Sequence, residues 1–170
     1  MLKKSLLLIA ILFSMNVSAQ SINERWVGTW QAGKEKLNVK ANSFQNCRWM
    51  SAAPKGNFKG CVAYYSGSVT KKRLVEMVSS DTAMLNEIAK NKQATPKEIA
   101  GYRAQIQAVK LTVDEVSDDS FRTVITAEGD YEGSGDCGTF YFLDKTNVYG
   151  VSNCEGPGVP SLSVVKYQKI

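Results

Sequence analysis

The residues best equipped for chemistry stand together in segment 130–136, where Asp130, Glu132 and Asp136 surround Gly133-Ser134-Gly135. A close pair of carboxylates can divide the work of general acid and general base. Carboxylates and carbonyls on such a loop can also hold Ca²⁺. The segment lacks the ordered ligand spacing and closing glutamate of an EF-hand, so it reads first as a solvated glycine-rich loop leading into Cys137. Ser134 is no nucleophile elbow, because Glu132 and Asp136 stand where that motif needs glycines. The chain has no histidine. That removes the commonest general base and every Ser-His or Cys-His arrangement. The expectation is a non-enzymatic protein with no catalytic residue, cofactor or metal.

Cysteine is the other reactive residue type, present at Cys47, Cys61, Cys137 and Cys154. No Cys-x-x-Cys spacing occurs and no histidine can complete a zinc site, so structural disulfides are the preferred reading. Three pairings are open. Cys47–Cys61 with Cys137–Cys154 is favoured, because each pair joins neighbouring predicted strands across a short loop, a closure of about 3 kcal/mol in the chain-entropy model.

Disulfides imply an oxidising compartment, and the first residues agree. Lys3 and Lys4 precede an apolar run at 6–13, and Val17-Ser18-Ala19 fits a cleavage site. The run is shorter than the roughly 20 residues a bilayer span needs. Residues 1–19 are therefore expected to be a cleaved signal, leaving 20–170 as one disulfide-braced domain, periplasmic or secreted, with no stable membrane insertion. The formal charge of +5 is mild and falls further once Lys3 and Lys4 are lost. Lys71-Lys72-Arg73 is the only triple basic run and reads as a solvated turn or strand end, so no nucleic-acid partner is expected.

The elements that must position these residues are mostly short strands. Period-two patterns mark 26–30, 37–40, 44–50, 61–65 and 73–78 before mid-chain, then 111–116, 121–128, 138–143, 148–152 and 162–169 after it. Between them, 79–109 reads as two helices. The first covers about 82–92, with Ser80 or Asp81 able to cap it and Met84, Leu85 and Ile88 on one face. The second starts at Thr95-Pro96-Lys97-Glu98, an N-cap, a helix-opening proline and a capping-box glutamate. Ile99, Tyr102, Ile106 and Val109 form its apolar stripe. The fold expected is mainly β, possible as α+β: an antiparallel barrel or sandwich of about 8–10 short strands with a two-helix insert near mid-chain.

On strands, Tyr64-Tyr65 and Phe140-Tyr141-Phe142 must send neighbours to opposite faces. Trp26, Gly28 and Trp30 share one face, with Gly28 leaving room between two indoles. Gly28-Thr29-Trp30 resembles the Gly-x-Trp signature of lipocalins and related calycins. The resemblance implies a barrel closed at one end by Trp30, packed near a basic residue of the last strand, Lys166 or Lys169. Trp26, Trp30, Tyr65, Tyr141 and Lys166 are then the candidates for lining or packing a ligand cavity.

Two functions follow. One is a binding protein for a cell-envelope protein partner, an inhibitor or immunity factor against a hydrolase or toxin. It would make contact through loops bearing Lys55, Asn57, Asp130, Glu132, Asp136 and Glu155. The other is a lipocalin-like carrier of a small apolar molecule, with a continuous cavity and the helical insert as its lid. Both require an oxidised chain. Thiol titration of the denatured, unreduced protein should find no free cysteine, and reduction should release all four.

Overall fold

The structure is a computed structural model that describes residues 21–56, 58–67, 69–129, 137–154 and 162–170, with the side chains of Cys137 and Cys154 left out. The expected signal 1–19, the acidic segment with Asp130, Glu132 and Asp136, and the loop residues Asn57 and Glu155 lie outside the described residues. The chain order is β1 (Gly28–Ala32), β2 (Glu35–Lys40), β3 (Ser43–Phe44), β4 (Cys47–Trp49), β5 (Cys61–Ser66), α1 (Lys71–Lys90), α2 (Pro96–Glu115), a 3₁₀ helix (Asp118–Thr123), β6 (Val124–Gly129), β7 (Cys137–Asp144), β8 (Asn147–Cys154) and β9 (Ser163–Lys169).

The nine strands form a closed barrel in sequence order, which bears out the mainly β expectation in its barrel form. Every neighbour pair is antiparallel except β4–β5. Alternation along the strands divides the apolar residues between two cores. Trp30, Leu37, Val39, Phe44, Ile125, Leu143, Val148 and Tyr167 point into the barrel. Val124, Phe142, Tyr149 and Val151 point outward, where α1 and α2 cover them. The triplet Phe140-Tyr141-Phe142 follows the rule, with Tyr141 packed on the interior cluster and its two neighbours on the exterior one.

The helices are longer than the sequence pattern suggests. Segment 73–78, expected as a strand, belongs to α1, which is capped by Thr70 rather than Ser80 or Asp81; the Thr70 side chain accepts from the Arg73 amide at 3.2 Å. Its alternation spans too few residues to compete with the longer stripe Leu74, Val78, Leu85 and Ile88, all buried at helical spacing. Segment 111–116, also expected as a strand, contains the last turn of α2. Val109 and Val113 are buried there while Leu111 is half exposed, and the Thr112 hydroxyl donates back to the Ala108 carbonyl at 3.0 Å. β-Branched residues weaken a helix only slightly, and burial against a sheet overrides that preference.

The second helix starts as expected, with the full capping box at Thr95 and Glu98. Hydrogen bonds from the Thr95 hydroxyl and amide hold the Glu98 carboxyl below its usual range. Segment 44–50 is two strands, not one. Gln45 turns at φ 54°, and its side chain completes the edge of β2, accepting from the Asn38 amide and donating to the Lys36 carbonyl, each at 2.9 Å.

The helical pair packs against the outer face of the sheet, where it stands as a side wall and not as the lid that the carrier reading supposes. An apolar stripe that a lid would turn toward the barrel opening is spent instead on Phe142, Tyr149 and Val151. One expected member of that stripe, Met84, is 43% exposed, against 2% for Leu85. Leu85→Ala should therefore cost about 3 kcal/mol in urea unfolding. Met84→Ala should change stability by less than about 0.5 kcal/mol.

Candidate functional site

Strand direction gives the barrel two unlike ends. The turn between Asp144 and Asn147 and the chain entering β1 lie at one. At the other, β5 begins at Cys61, and β6–β7 and β8–β9 are joined by connections 130–136 and 155–162.

The first end is plugged. Trp30 Nε1 donates to the Trp26 carbonyl at 2.8 Å, and Trp26 meets Phe44 edge-on at 6.3 Å. Trp26, Trp30, Leu37 and Phe44 are at most 2% exposed. Lys169 lies opposite Trp30 across β1–β9 and puts its ammonium 5.3 Å from the indole centroid. Gly28 makes this approach feasible, since a Cβ there would stand 2.8 Å from Lys169 Cε. The room at Gly28 therefore serves the lysine stem and not a second indole. Of the two basic residues expected near Trp30, Lys169 takes that place. Lys166 faces outward, 5.6 Å over the Tyr149 ring.

The second end is lined differently. Pairing aligns Ala63, Ala127, Thr139, Ser152 and Ser163 as one inward-facing row, with Tyr65, Ile125, Tyr141, Gly150 and Val165 as the next row down. Ala127, Thr139, Ser152, Ser163, Tyr141 and Val165 are all partly exposed, unlike the plug beneath them. Thr139 and Ser152 bring their hydroxyls within 3.0 Å of each other.

The floor is aromatic. Tyr141 packs on Phe44 at 4.7 Å between centroids. Gly150 leaves space for Tyr141 and Tyr167, because a Cβ there would meet Tyr141 Cε1 at 2.9 Å. Tyr167 donates its hydroxyl to Glu35 at 3.2 Å on the β1–β2 lip. Burial, then the neighbouring Tyr141 and Glu35, push the Tyr167 phenol up, so it remains a neutral donor.

The remaining sequence candidates make other contacts. Tyr65 packs edge-on with Trp49 at 4.8 Å and accepts from the Asn23 amide at 2.6 Å, which ties the entering chain to β5. Tyr64 faces away from the barrel interior and donates to Glu128 at 2.6 Å. Burial and Glu128 together raise its pKa. Lys55 is exposed on the β4–β5 crossover. Cys47 and Cys61 are disulfide-bonded, with Cα atoms 4.5 Å apart. The Cys137 and Cys154 backbones face each other in register, so the expected second bond is supported by strand placement alone. No group of three or more potential metal ligands occurs among the described residues.

A polar cleft of about 310 Å³ at the plugged end is lined by residues including Arg25, Ser117, Asp119, Ser120, Asp144 and Lys145. Its central contact holds the 3₁₀ helix to β7: Asp144 accepts from Ser120 at 2.8 Å and from Ser117 at 3.2 Å. Burial pulls the Asp144 carboxyl up, but these serines and nearby Lys145 bring it below its ordinary value. With its carboxylate engaged in this way, the cleft reads as a joint.

Sequence reasoning missed Thr139, Ser152, Ser163, Gly150 and Glu35. Thr139 and Ser152 beside the larger outward Phe140 and Val151 were the available signal, hidden because both phases of those strands carry apolar residues. Comparison with protein-family models, curated proteins and solved structures found no match. The lipocalin-like expectation is met at the level of a closed barrel. The disulfide is characteristic of an oxidising compartment, and no described helix is long and apolar enough to cross a membrane.

Gly150→Val should destabilise the protein by about 2 kcal/mol through overpacking against Tyr141. Gly101→Ala, in α2 with nothing within 4 Å of its added Cβ, should stabilise it by about 0.5–1 kcal/mol. Thermal unfolding of both variants checks the pair.

Proposed function

We propose that this is an exported, non-enzymatic binding protein that holds a small ligand in the unplugged end of its barrel. The observation that carries the reading is the contrast between the two ends. Trp26, Trp30 and Phe44 are almost completely buried, while Thr139, Ser152, Ser163 and Val165 face inward from taller strands and keep partial exposure. Small side chains lining a concave wall above an aromatic floor suit the entry of a guest. The Trp30–Lys169 pairing supports a lipocalin-like plan, since that resemblance implies a tryptophan and a late basic residue at the closed end. Periplasmic or secreted placement rests on the expected signal and the disulfide.

A protein partner is the second reading. It is favoured by the connections 130–136 and 155–162 joining strands at this same end. A hydrolase or toxin gripped there would be held by loops on a rigid scaffold.

Native mass spectrometry of protein purified from its own compartment separates the two. The ligand reading expects a small adduct that Ser152→Phe abolishes without loss of folding. An adduct unaffected by that change, or a stoichiometric captured protein whose activity falls on binding, would reject it; the latter would establish the inhibitor reading.

A further inference from the structure

We infer that the groove between α1 and α2 binds a single-chain anionic amphiphile, its alkyl chain laid along the helices and its head group beside Lys72 and Arg122. The site is separate from the barrel mouth and does not depend on it.

Helical spacing builds the groove. Val75, Val78, Ser79 and Thr82 recur at i, i+3, i+4 and i+7 on α1, and Lys110, Val113 and Asp114 of α2 line the same hollow of about 320 Å³. A second, more open hollow of about 700 Å³ shares Val75 and continues past Phe121 to Lys71, Lys72 and Arg122. From Thr82 to Lys71 the two run about 17 Å along α1. Arg122 stands just before β6 begins at Val124, so this end lies opposite the connections 130–136 and 155–162.

The lining is more apolar than its residue types suggest. The Ser79 hydroxyl donates to the Val75 carbonyl at 3.0 Å, and the Thr82 hydroxyl to the Val78 carbonyl at 2.7 Å. Both donors are thereby spent within the helix. Val78 and Val113 are buried, and Val75 beside them is 44% exposed. Met84 and Leu111, the other large apolar residues exposed on the two helices, line neither hollow. A strip one side chain wide suits an alkyl chain, whereas a protein partner needs a broader patch.

Charge sets the direction of the chain. Lys110 and Asp114 cancel at one end of the groove. At the other, Lys71, Lys72 and Arg122 line the hollow against Glu76 and Asp118. Lys71 is taken, donating to the Val116 carbonyl at 2.9 Å and pairing with Asp118 at 3.4 Å. The side chains of Lys72 and Arg122 are 86% and 80% exposed, and they reach Glu76 at 3.9 Å and Asp119 at 3.0 Å. Pairs this exposed hold their partners weakly, so both cations can turn to an anionic head group.

The test titrates the full mature chain with laurate and with dodecyltrimethylammonium, its cationic counterpart, below micelle formation, and follows backbone amides by NMR. Laurate should shift Val75, Ser79 and Val113, and the cation should bind at least about tenfold more weakly. Lys72→Glu with Arg122→Glu should weaken laurate about tenfold, while Lys110→Ala should leave it unchanged. Val75→Glu should abolish binding with the thermal transition kept in place. Equal binding of the two amphiphiles would overturn the head-group assignment and with it the inference. Laurate shifts confined to Thr139 and Ser152 would place the chain in the barrel instead. Val75 shifts that grow with protein concentration alone would give the groove to a second copy of this chain. A response to phosphatidylglycerol vesicles without one to laurate would make it a membrane contact. Any of these three results, or no shift at all, overturns the inference.

Discussion

Closing a sheet into a barrel requires its first strand to meet its last, and in this chain that meeting is short. β1 and β9 pair only at Trp30–Lys169 and Gln31–Gln168. A second short seam lies between β4 and β5, the one parallel neighbour pair, at Arg48–Val62 and Trp49–Ala63. Ladders this brief supply few hydrogen bonds, and parallel pairing is slightly weaker per residue. Each seam has a reinforcement from outside the ladder. Lys169 reaches back over Trp30 through the space left by Gly28, and Cys47 is bonded to Cys61. The charge–aromatic contact adds about 0.5–1 kcal/mol at an exposed position. The disulfide restricts the open chain by more, about 3 kcal/mol in the entropy model. Both interior arrangements, the plug and the mouth, depend on these seams staying shut.

The short seams also account for the asymmetry of the barrel. β3 and β4 are brief, separated by the turn at Gln45, and β1 stops where the chain turns back after Ala32. From β5 onward the antiparallel ladders lengthen, reaching the full run from Cys137–Cys154 to Asp144–Asn147 on β7–β8. A low wall facing a high wall leaves inward side chains on the high one without partners at their own level. That is why Thr139, Ser152, Ser163 and Val165 keep exposure while Leu143, Val148 and Tyr167, the row below Tyr141, lose it.

Particular residues explain what was legible beforehand. The capping box at Thr95 and Glu98 is a local device, complete within four residues, so it could be read without knowing what α2 packs against. Gly28 and Trp30 carried the barrel's closed end in a three-residue motif, although the occupant of the glycine's space, Lys169, is distant in sequence. Segment 73–78 misled because a helix passing through Leu74, Val75, Met77 and Val78 contains a short stretch that also alternates. Only the wider window through Leu85 and Ile88 distinguishes the two periods. The mouth was harder still. Its floor is defined by Gly150 making room for Tyr141 and Tyr167, residues from three strands whose proximity exists only once the register is fixed.

Two apolar surfaces on one sheet pose a problem that the helical insert resolves. β7 and β8 carry large residues on both faces, Tyr141 and Leu143 inside, Phe140, Phe142, Tyr149 and Val151 outside. Such strands belong buried on both sides, and an uncovered outer face would invite association. Leaving β5 at Ser66, the chain builds α1 and α2 over that face, then rejoins at Val124 in direct register with Ser66. The excursion therefore interrupts no ladder. Because the helices are committed to the outer wall through Val109, Val113 and Leu85, they contribute nothing to the interior cluster. Interior packing and helix packing are thus assigned to opposite faces of the same strands, with Tyr141 and Phe142, adjacent in sequence, marking the division.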